Sequence, residues 1–287
     1  MIDSALRAGI LSEALPYLKQ YNDQIVVVKY GGNAMIDEDL KKAVISDVLM
    51  LHLVGIHVVL VHGGGPEISA MLKKTSTESH FVNGLRYTYE ATMDIVQMVL
   101  CGKVNKELVS LLDGKGIGLG GMDGNLFQAV KLEDGENDYG FVGKIEEVNC
   151  QIVKDIIEKG YIPVISSVAS GLVDQHPYNI NADTAASALA GALHAKKLIL
   201  LTDIAGLLAD PSDPSSVIEE IKLSRLPELQ NSGVITGGMI PKVDCCVEAV
   251  RQGVETASII DGRVPHSILI ELLTNEGIGT MFSQEVI

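Results

Sequence analysis

The stretch Ile25-Val26-Val27-Val28-Lys29-Tyr30-Gly31-Gly32 joins a short apolar run to a lysine and two glycines. Four successive β-branched residues are typical of a strand that is buried on both faces, as in a parallel sheet. A positive charge at the end of such a strand, followed by backbone without side chains, is typical of a phosphate-binding turn. The stretch therefore predicts a buried parallel strand that leads into a phosphate site.

A second strand-and-glycine arrangement follows at residues 56–65. There Ile56-His57-Val58-Val59-Leu60-Val61-His62 leads into Gly63-Gly64-Gly65. Since ligands of open α/β sheets bind at the carboxyl ends of the strands, we expect the two glycine turns to face one another across a shared cleft.

Strand-like and helix-like segments alternate along the rest of the chain. Strand-like runs occur at 25–29, 57–61, 162–168, 197–202 and 256–260, and helical segments fit 38–53, 67–74, 90–112, 150–159, 183–194, 241–252 and 266–273. The runs at 126–130 and 141–145 predict a hairpin, and 210–216 predicts a surface loop. Alternation with short turns predicts an α/β fold with a mainly parallel sheet and helices on both of its faces.

An amphipathic helix is predicted for residues 2–20, before the first strand. Pro16 is expected to bend it, and Asp3 or Ser4 is expected to cap it. Its apolar face is formed by Leu6, Ile10, Leu11, Ala14, Leu15 and Leu18. A helix with such a face needs a partner, which is either the core of this chain or another subunit.

The overall composition excludes several classes of protein. With 287 residues, of which 47% are hydrophobic and 21% charged, the chain is long enough for one large globular domain or two modest ones. No apolar run is long enough to span a membrane and no signal peptide is evident, so we expect a cytoplasmic protein. The net charge of −15 disfavours nucleic acid as a partner, because phosphate contacts require clustered lysine and arginine. The four cysteines and seven histidines show no metal-ligand spacing, and reduced thiols are typical of the cytoplasm.

Polar residues at the ends of predicted strands and helices are the candidate ligand contacts. Lys242 follows another glycine turn, Gly237-Gly238, at the start of a helix, although a plain loop with a solvated lysine would look the same. Asn179, Asn181 and Asp183 precede an apolar helix. Capping by Asp183 would explain one of the three, and the two asparagines would project to the same side of an extended segment.

Two further candidates are Asp203 and Arg86. Asp203 follows the predicted strand 197–202, at the edge of the sheet where ligands bind. Arg86 in Asn83-Gly84-Leu85-Arg86 is suited to bidentate binding of a carboxylate, although a surface arginine is the simpler interpretation.

Two other glycine motifs favour different functions, but less strongly. Gly116-Ile-Gly118-Leu-Gly120-Gly121 matches the dinucleotide-binding fingerprint, which would indicate a nicotinamide oxidoreductase, yet it follows a predicted helix and has no supporting acidic residue. His62-Gly63-Gly64-Gly65 is similar to the oxyanion turn of lipases and esterases, yet the chain has no Gly-x-Ser-x-Gly nucleophile motif. A P-loop sequence is absent.

Taken together and in this order, the segments resemble the amino acid kinase family. The resemblance is carried by 26–35, 61–66, 83–86, 178–183, 201–203 and 237–242. It is strongest to the members that use ATP to phosphorylate the γ-carboxylate of N-acetyl-L-glutamate to an acyl phosphate in arginine biosynthesis. The resemblance implies a three-layer αβα sandwich with a central, mainly parallel sheet over residues 23–287. Residues 23–172 would form the substrate half, and 173–287 the nucleotide half.

The resemblance also implies roles for individual residues. Lys29 and Lys242 would stabilise the transferring phosphoryl group, and Asp183 would hold both lysines. The phosphate would be bound by Gly31, Gly32 and Gly64, the substrate by Gly64, Gly65, Arg86 and Asn179, and the nucleotide by Asp203 and Lys242. ATP with Mg²⁺ is the expected cofactor, and no side chain is assigned to a metal. These roles suit a carboxylate nucleophile, which is already ionised at neutral pH and needs charge neutralisation rather than a general base.

The N-terminal helix, residues 1–22, resembles the oligomerisation arm of arginine-inhibited members that assemble as homo-hexamers. In those members arginine binds near this helix, which would here involve Tyr17, Lys197, Glu271 and Gly277. Glu271 could receive the guanidinium group, although a helix-surface glutamate is the simpler interpretation. A PII-type nitrogen-signalling protein binds some relatives and is a further partner to test.

Two departures from the family pattern bear on specificity. Tyr87-Thr88-Tyr89 stands where the family usually has Val-Thr-Asp, and the stretch 113–119 is shorter than usual. The alternatives are a relative that acts on another carboxylate or on carbamate, and a non-catalytic arginine sensor. The presence of Lys29, Asp183 and Lys242 speaks against the sensor.

Overall fold

The protein is described here by a computed structural model that covers residues 4–210, 212–213 and 215–285, with side chains except for residues 4–7 and Asn33. The strands are β1 (Ile25–Tyr30), β2 (His57–His62), β3 (Phe81–Val82), β4 (Leu85–Arg86), β5 (Gly116–Gly120), β6 (Phe127–Lys131), β7 (Gly143–Val148), β8 (Ile162–Ser166), β9 (Val168–Gly171), β10 (Pro177–Asn179), β11 (Lys197–Thr202), β12 (Glu220–Lys222), β13 (Thr256–Asp261) and β14 (Gly279–Ser283). The helices are α1 (Ser4–Glu13), α2 (Leu15–Tyr21), α3 (Glu38–Leu53), α4 (Gly65–Lys74), α5 (Glu90–Gln97), α6 (Asn105–Leu111), α7 (Gln151–Glu158), α8 (Ala182–Leu193), α9 (Leu226–Asn231), α10 (Ile240–Arg251) and α11 (Ser267–Leu273).

The main sheet is mixed but mostly parallel. Within the described residues eight strands follow the order β12–β14–β13–β11–β1–β2–β8–β5. β1 lies inside this sheet and runs parallel to both of its neighbours, with Lys29 paired with Leu200 on one side and Val61 on the other. Among the pairings between the described residues of this sheet, β13–β14 is the antiparallel one. The predicted mainly parallel sheet is therefore confirmed.

Helices cover both faces of this sheet. Val27 belongs to a hydrophobic cluster with residues of α7, α8, α9 and α10. Val26 and Val28 point the other way, into a second cluster with residues of α3, α4, α5, α6 and α11. All three valines are completely buried, and burial of such a side chain contributes about 1.5–3 kcal/mol. The αβα sandwich is confirmed, and the apolar run at residues 25–28 is its centre.

Two smaller strand groups lie beside the main sheet. β6 and β7 pair antiparallel, which confirms the predicted hairpin, and they join β9 and β10 in a sheet of order β10–β9–β6–β7. β3 and β4 form a short hairpin that carries Arg86.

Local signals account for the boundaries of α3 and of the N-terminal helix. α3 begins after Asp37, whose Oδ1 accepts hydrogen bonds from the amides of Asp39 and Leu40 at 2.9 and 3.0 Å. The N-terminal helix is interrupted at Ala14, and Pro16 occupies the first turn of α2, as expected from the bend predicted there. Asp3, one of its two suggested caps, lies outside the described residues. The described part of the chain contains no helix that is both long and apolar enough to cross a membrane.

Two predicted elements differ in the structure. The helix predicted for 90–112 is α5 and α6 joined by a π-helical segment, Met98–Val104. The glycine motif at 116–121 is not a turn between a strand and a helix, because Gly116–Gly120 forms the edge strand β5, paired with β8. The dinucleotide-binding interpretation of that motif is therefore wrong.

Candidate active site

A carboxylate bridges two lysines at the carboxyl edge of the main sheet. Lys29 Nζ lies 2.9 Å from Asp183 Oδ1, and Lys242 Nζ donates a hydrogen bond of 2.8 Å to Asp183 Oδ2. The Lys29 contact is an ion pair, and among the described residues no well-aligned hydrogen bond reaches the buried Oδ1. Three elements, β1, α8 and α10, thus bring two cations and one anion together.

The charges of these lysines control the protonation of Asp183. Burial alone would raise the pKa of this carboxyl, but Lys29 and Lys242 outweigh it and lower the pKa to about 2. The carboxylate is therefore ionised at neutral pH. One anion between two cations leaves a net positive charge, which suits an anionic ligand.

The start of α8 places Asp183 at this point. Asn181 caps the helix, because its Oδ1 accepts hydrogen bonds from the amides of Asp183 and Thr184 at 2.8 and 3.2 Å. The capping role considered for Asp183 thus belongs to Asn181, and the Asp183 side chain turns to the lysines instead. Its place in the first turn also favours its negative charge through the helix dipole.

Both glycine turns need residues without side chains. Gly32 has φ +71°, and a Cβ atom there would lie 2.6 Å from Asp203 Oδ1. A Cβ atom at Gly31 would lie 2.8 Å from Lys29 Nζ, and one at Gly64 would lie 2.7 Å from Leu100. Gly32 is therefore required by its backbone conformation, whereas a side chain at Gly31 or Gly64 would displace Lys29 Nζ or Leu100 Cδ2.

The two turns border one cavity of ≈ 470 Å³. Its walls include residues Lys29, Gly31, Gly32, Gly63, Gly64, Gly65, Ser69, Phe81, Arg86, Ser167, Asn179, Asn181 and Asp183. The turns predicted to face a shared cleft therefore do so. The N-terminus of α4, at Gly65, also borders this cavity, which adds a site for negative charge.

Arg86 is held rigidly in the wall of this cavity. Its guanidinium donates to Gly65 O at 3.1 Å, to Ser69 Oγ at 2.7 Å and to Ser79 Oγ, and it lies 4.7 Å from the ring centre of Phe81. Only 7% of the residue is exposed, and burial lowers its pKa. Arg86 is thus an oriented cation at the cavity and not a freely solvated surface side chain.

Sequence analysis missed the residues that support Arg86. Ser69 lies four positions after Gly65 on α4, so helical spacing from the glycine turn was a signal that could have identified it. Ser79 and Phe81 lie in a segment without periodicity and gave no such signal. Asn179 also borders the cavity, and its Nδ2 donates to Thr88 Oγ1 at 3.1 Å.

Two segments depart from the family pattern, and the first of them, Tyr87-Thr88-Tyr89, lies partly outside this cavity. Tyr87 and Tyr89 line another, smaller cavity of ≈ 260 Å³, and Tyr87 donates to Asp138 Oδ2 at 2.7 Å. Thr88 contacts two candidate site residues, because its Oγ1 accepts from Asn179 Nδ2 and donates to Arg86 O at 2.9 Å. The other departure, 113–119, includes most of the edge strand β5.

A second cavity of ≈ 400 Å³ lies next to the first. It is lined by Lys29, Gly32, Leu201, Thr202, Asp203, Ile204, Thr236, Gly238, Met239 and Lys242. Lys29 and Gly32 border both cavities, so the two spaces meet there. A group passed between ligands in these cavities would cross beside the two lysines.

Among the described residues, no three His, Cys, Asp or Glu are grouped in a way that could hold a metal ion.

Three of the four residues suggested for an arginine site also lie together. Lys197 Nζ and Glu271 Oε1 form an ion pair of 2.7 Å whose side chains are 4% and 6% exposed. Glu271 Oε2 accepts from the amide of Ile278 at 3.2 Å, and it lies 3.5 Å from the position of a Cβ at Gly277. Tyr17 lies on α2, which packs against α11, the helix of Glu271. Glu271 is thus not an exposed helix-surface residue, and its charge is already balanced by Lys197.

Comparisons with known proteins identify the family to which this chain is similar. The model of the amino acid kinase family matches residues 24–261. The chain is 56% identical to an acetylglutamate kinase of Clostridium beijerinckii over 98% of this chain and 99% of that protein. It is 53% identical to an acetylglutamate kinase of Heliobacterium modesticaldum over 98% and 99% of the two chains.

A solved structure with a similar fold is that of N-acetylglutamate synthase from Neisseria gonorrhoeae, in complex with coenzyme A and N-acetyl-glutamate. The TM-score is 0.84 at 24% identity. The match covers 98% of this chain but spans only 64% of that longer protein. At this identity the likeness concerns the fold alone.

Proposed function

Since this chain belongs to the amino acid kinase family, and within it to the acetylglutamate kinases, we propose that its two cavities bind N-acetyl-L-glutamate and ATP on either side of Lys29. The observation that carries this proposal is the Lys29–Asp183–Lys242 bridge at the junction of the cavities. The reaction transfers the γ-phosphoryl group of ATP to the γ-carboxylate of the amino acid.

The proposed chemistry requires charge neutralisation more than proton transfer. A carboxylate oxygen of the substrate forms a bond to the γ-phosphorus while the bond to the β,γ-bridging oxygen breaks and ADP leaves. The carboxylate has an ordinary pKa near 4.3 and attacks as an anion, so no base must remove a proton from it. The barrier arises from bringing two anions together and from charge on the phosphoryl oxygens, which positioned cations and amides lower.

Each residue of the junction has a role in this scheme. Lys29 and Lys242 contact the transferring phosphoryl group from its two sides, and Asp183 keeps both ammonium groups directed towards it. The amides of Gly31, Gly32 and Gly64 supply further donors at a distance that side chains would prevent. A positive, preorganised site of this kind stabilises charge that develops in the transition state.

The amino acid occupies the larger cavity, of ≈ 470 Å³. Arg86, held by Ser69 and by Gly65 O, provides an oriented guanidinium for a substrate carboxylate. Asn179, together with Gly64 and Gly65, supplies the polar contacts for the remaining groups. The opposite cavity, with Asp203 and Lys242, receives the nucleotide.

Mg²⁺ is expected to accompany ATP. This ion usually keeps several waters and is held by substrate phosphates with few protein carboxylates, so a site without a dedicated ligand cluster fits it. Asp183 is not free to bind it, because both of its oxygens face lysines. When bound with ATP, the ion neutralises phosphate charge. Among the residues described, Asp203 is the carboxylate that borders the nucleotide cavity.

The finer functional assignments extend this proposal. Residues 1–22 form an oligomerisation arm for a homo-hexamer, with 23–172 as the substrate half and 173–287 as the nucleotide half of one kinase domain. The role of the arm is supported by the exposure of Ile10, Leu11 and Leu15, which are 53%, 69% and 51% exposed.

Arginine inhibits by binding near Tyr17, Lys197, Glu271 and Gly277, and a PII-type protein is a further partner. A cytoplasmic location agrees with the four free cysteines.

Acyl phosphate formation tests the proposed function directly. The product is trapped with hydroxylamine after incubation with ATP, Mg²⁺ and N-acetyl-L-glutamate, and parallel reactions contain glutamate, aspartate or carbamate. We expect turnover with acetylglutamate, with arginine lowering it. Faster turnover with any other acceptor would overturn the substrate assignment, and arginine-independent rates would overturn the inhibition.

A further inference from the structure

A fully buried histidine lies directly behind the second glycine turn. His62 ends β2, is 0% exposed, and its Nδ1 lies 2.8 Å from Gly63 O. The proposed chemistry uses no histidine, so this side chain has no part in it so far. A buried imidazole beside the turn that supplies phosphoryl-binding amides is nevertheless placed to control the turn's geometry.

Asn105 determines which nitrogen of His62 carries the proton. Lys106 Nζ donates to Asn105 Oδ1 at 3.0 Å, which assigns this oxygen as the acceptor. The amide group Nδ2 then donates its two protons to the two nearer acceptors, Val164 O at 2.9 Å and His62 Nε2 at 3.1 Å, while Leu119 O lies farther away at 3.3 Å. With Nε2 accepting, the neutral ring carries its proton on Nδ1 and donates it to Gly63 O.

The surroundings keep this histidine neutral. The pKa of His62 is lowered to about 4, chiefly by burial and also by the charge of Lys106 on α6, while the hydrogen bond to Gly63 opposes these effects. Other titratable groups near this network are Cys101, from the π-helical segment, and Asp123, whose Oδ2 accepts from the Gly120 amide at 2.7 Å. Glu67 of α4 also faces the turn, because its buried Oε2 lies 3.7 Å from the position of a Cβ at Gly64. Because the ring is neutral, one of its nitrogens donates a hydrogen bond while the other accepts one. The hydrogen bonds therefore all run from Lys106 through Asn105 and His62 to Gly63 O.

The glycine motif on β5 makes room for the network. A Cβ atom at Gly118 would lie 1.9 Å from Asn105 Oδ1 and 2.6 Å from Lys106 Nζ. Both distances are far below any that real Cβ atoms adopt. The glycine spacing that matched a dinucleotide fingerprint therefore has another physical reason, which is the close approach of Asn105 to the edge strand.

The π-helical segment holds the other side of the same turn. A Cβ atom at Gly64 would lie 2.7 Å from Leu100 Cδ2 and 3.3 Å from Val104 Cγ2, and both of these residues belong to Met98–Val104. Asn105 follows this segment directly. One continuous stretch of chain thus contacts Gly64 with apolar side chains and His62 with an amide.

We propose that His62, fixed by Asn105 as the neutral Nδ1–H tautomer, is a positioning residue that sets the backbone of Gly63–Gly65 for phosphoryl transfer. Its proton stays on the ring throughout, and its hydrogen bond to Gly63 O orients the peptide unit that contains the Gly64 amide. The kinetic part of this inference rests on the proposed function, whereas the protonation state does not.

Nuclear magnetic resonance of the wild-type protein labelled with ¹⁵N at histidine tests the protonation state. We expect His62 as the Nδ1–H tautomer with unchanged shifts from pH 6 to 9. An Nε2–H tautomer, or titration near the ordinary histidine pKa of about 6.5, would overturn the proposal. This measurement needs neither a variant nor enzymatic activity.

Paired substitutions test the positioning role. His62→Asn keeps an N–H near the place of Nδ1, so we expect kcat within about threefold of wild type. His62→Leu loses the donor, and we expect kcat to fall by about 10- to 100-fold with little change in either KM, since an amide aimed at the phosphoryl group is misplaced. His57→Leu, at the other end of the same strand, is the matched control and should behave as wild type. Equal losses in His62→Asn and His62→Leu would indicate a packing role and refute the proposal.

Asn105→Asp provides a signature that packing alone would not produce. The new carboxylate can only accept a hydrogen bond, so it would pair with an N–H at His62 Nε2. The hydrogen bonds of Nε2 and Nδ1 then both persist only while His62 is doubly protonated. We therefore expect kcat of Asn105→Asp to fall as the pH rises and His62 loses its second proton. The wild-type kcat should show no such pH dependence. A folded Asn105→Asp enzyme with the wild-type pH profile would contradict the proposal. If wild type itself does not phosphorylate acetylglutamate, the proposed function fails, and the tautomer measurement still decides the protonation state.

Discussion

The substitution Asp183→Asn removes the negative charge between Lys29 and Lys242 and leaves the shape of the side chain unchanged. In the wild type the pKa of this carboxyl is about 2, against an ordinary 3.8. A difference of this size corresponds to roughly 2 kcal/mol of stability at neutral pH. Because the folded pKa is the lower one, this contribution is complete above about pH 4 and is lost as the pH falls towards 2.

Urea unfolding of wild type and Asp183→Asn at several pH values measures this contribution. We expect wild type to be more stable by roughly 2 kcal/mol at pH 7, and we expect the difference to shrink to about half at pH 3. Other carboxyl groups titrate in the same range, but they are common to both proteins and cancel in the difference. A difference that stays constant from pH 7 to pH 3 would refute the electrostatic account.

The same variant tests the catalytic role. The asparagine amide can accept from one ammonium group only, and its NH₂ group repels the other, so at least one lysine leaves its position. We expect kcat to fall by about 10²- to 10³-fold, as when a transition-state donor is lost. Asp244→Asn is the matched control, because it removes an exposed charge two residues from Lys242 and should leave kcat within about twofold. A normal kcat in Asp183→Asn would remove the bridge from the mechanism.

Four other substitutions or deletions test the remaining assignments. Lys242→Ala should lower kcat by about 10²- to 10³-fold with a modest change in KM, and a near-normal kcat in steady-state assays would remove Lys242 from the mechanism. Arg86→Ala should mainly raise KM for acetylglutamate while KM for ATP stays constant, and an unchanged KM for the amino acid would contradict its role as the carboxylate anchor. Glu271→Gln should abolish inhibition by arginine. It should also lower the free energy of unfolding by about 3–5 kcal/mol, because it leaves Lys197 buried without its counter-ion. Persistent inhibition would exclude Glu271 from the site. A chain that begins at Asp23 should lose both hexamer formation and arginine sensitivity in light scattering and kinetics, and a hexameric, arginine-sensitive product would refute the role of the arm.

Much of the fold could be predicted because its central strands are apolar on both faces. The segments at 25–30, 57–62 and 197–202 have no polar face, which distinguishes strands inside a parallel sheet from those at its edge. The strands that were not predicted, such as β5 and β12, are short or rich in glycine. They depend on pairing with a neighbour and not on their own side chains, so no local pattern marks them.

The candidate site was partly visible in the sequence for a similar reason. Lys29 and Asp203 follow buried strands directly, and the direction of a parallel sheet places such residues at one edge. The partners that hold Arg86 were not visible, because Ser79 and Phe81 reach it from a segment with no periodicity. The bridge through Asp183 depends on contacts between residues far apart in the chain, and composition and spacing do not determine such contacts.

The position of β1 also has a consequence for synthesis of the chain. Val28 pairs with Leu60 on one side but with Ile199 on the other. At about 5–20 residues per second, roughly 10–30 s pass between synthesis of these two partners. During that interval a strand with three completely buried valines has an open edge, which is the kind of edge that pairs with other chains. The strand that ends in Lys29 is therefore the segment of the nascent chain that we expect chaperones to protect.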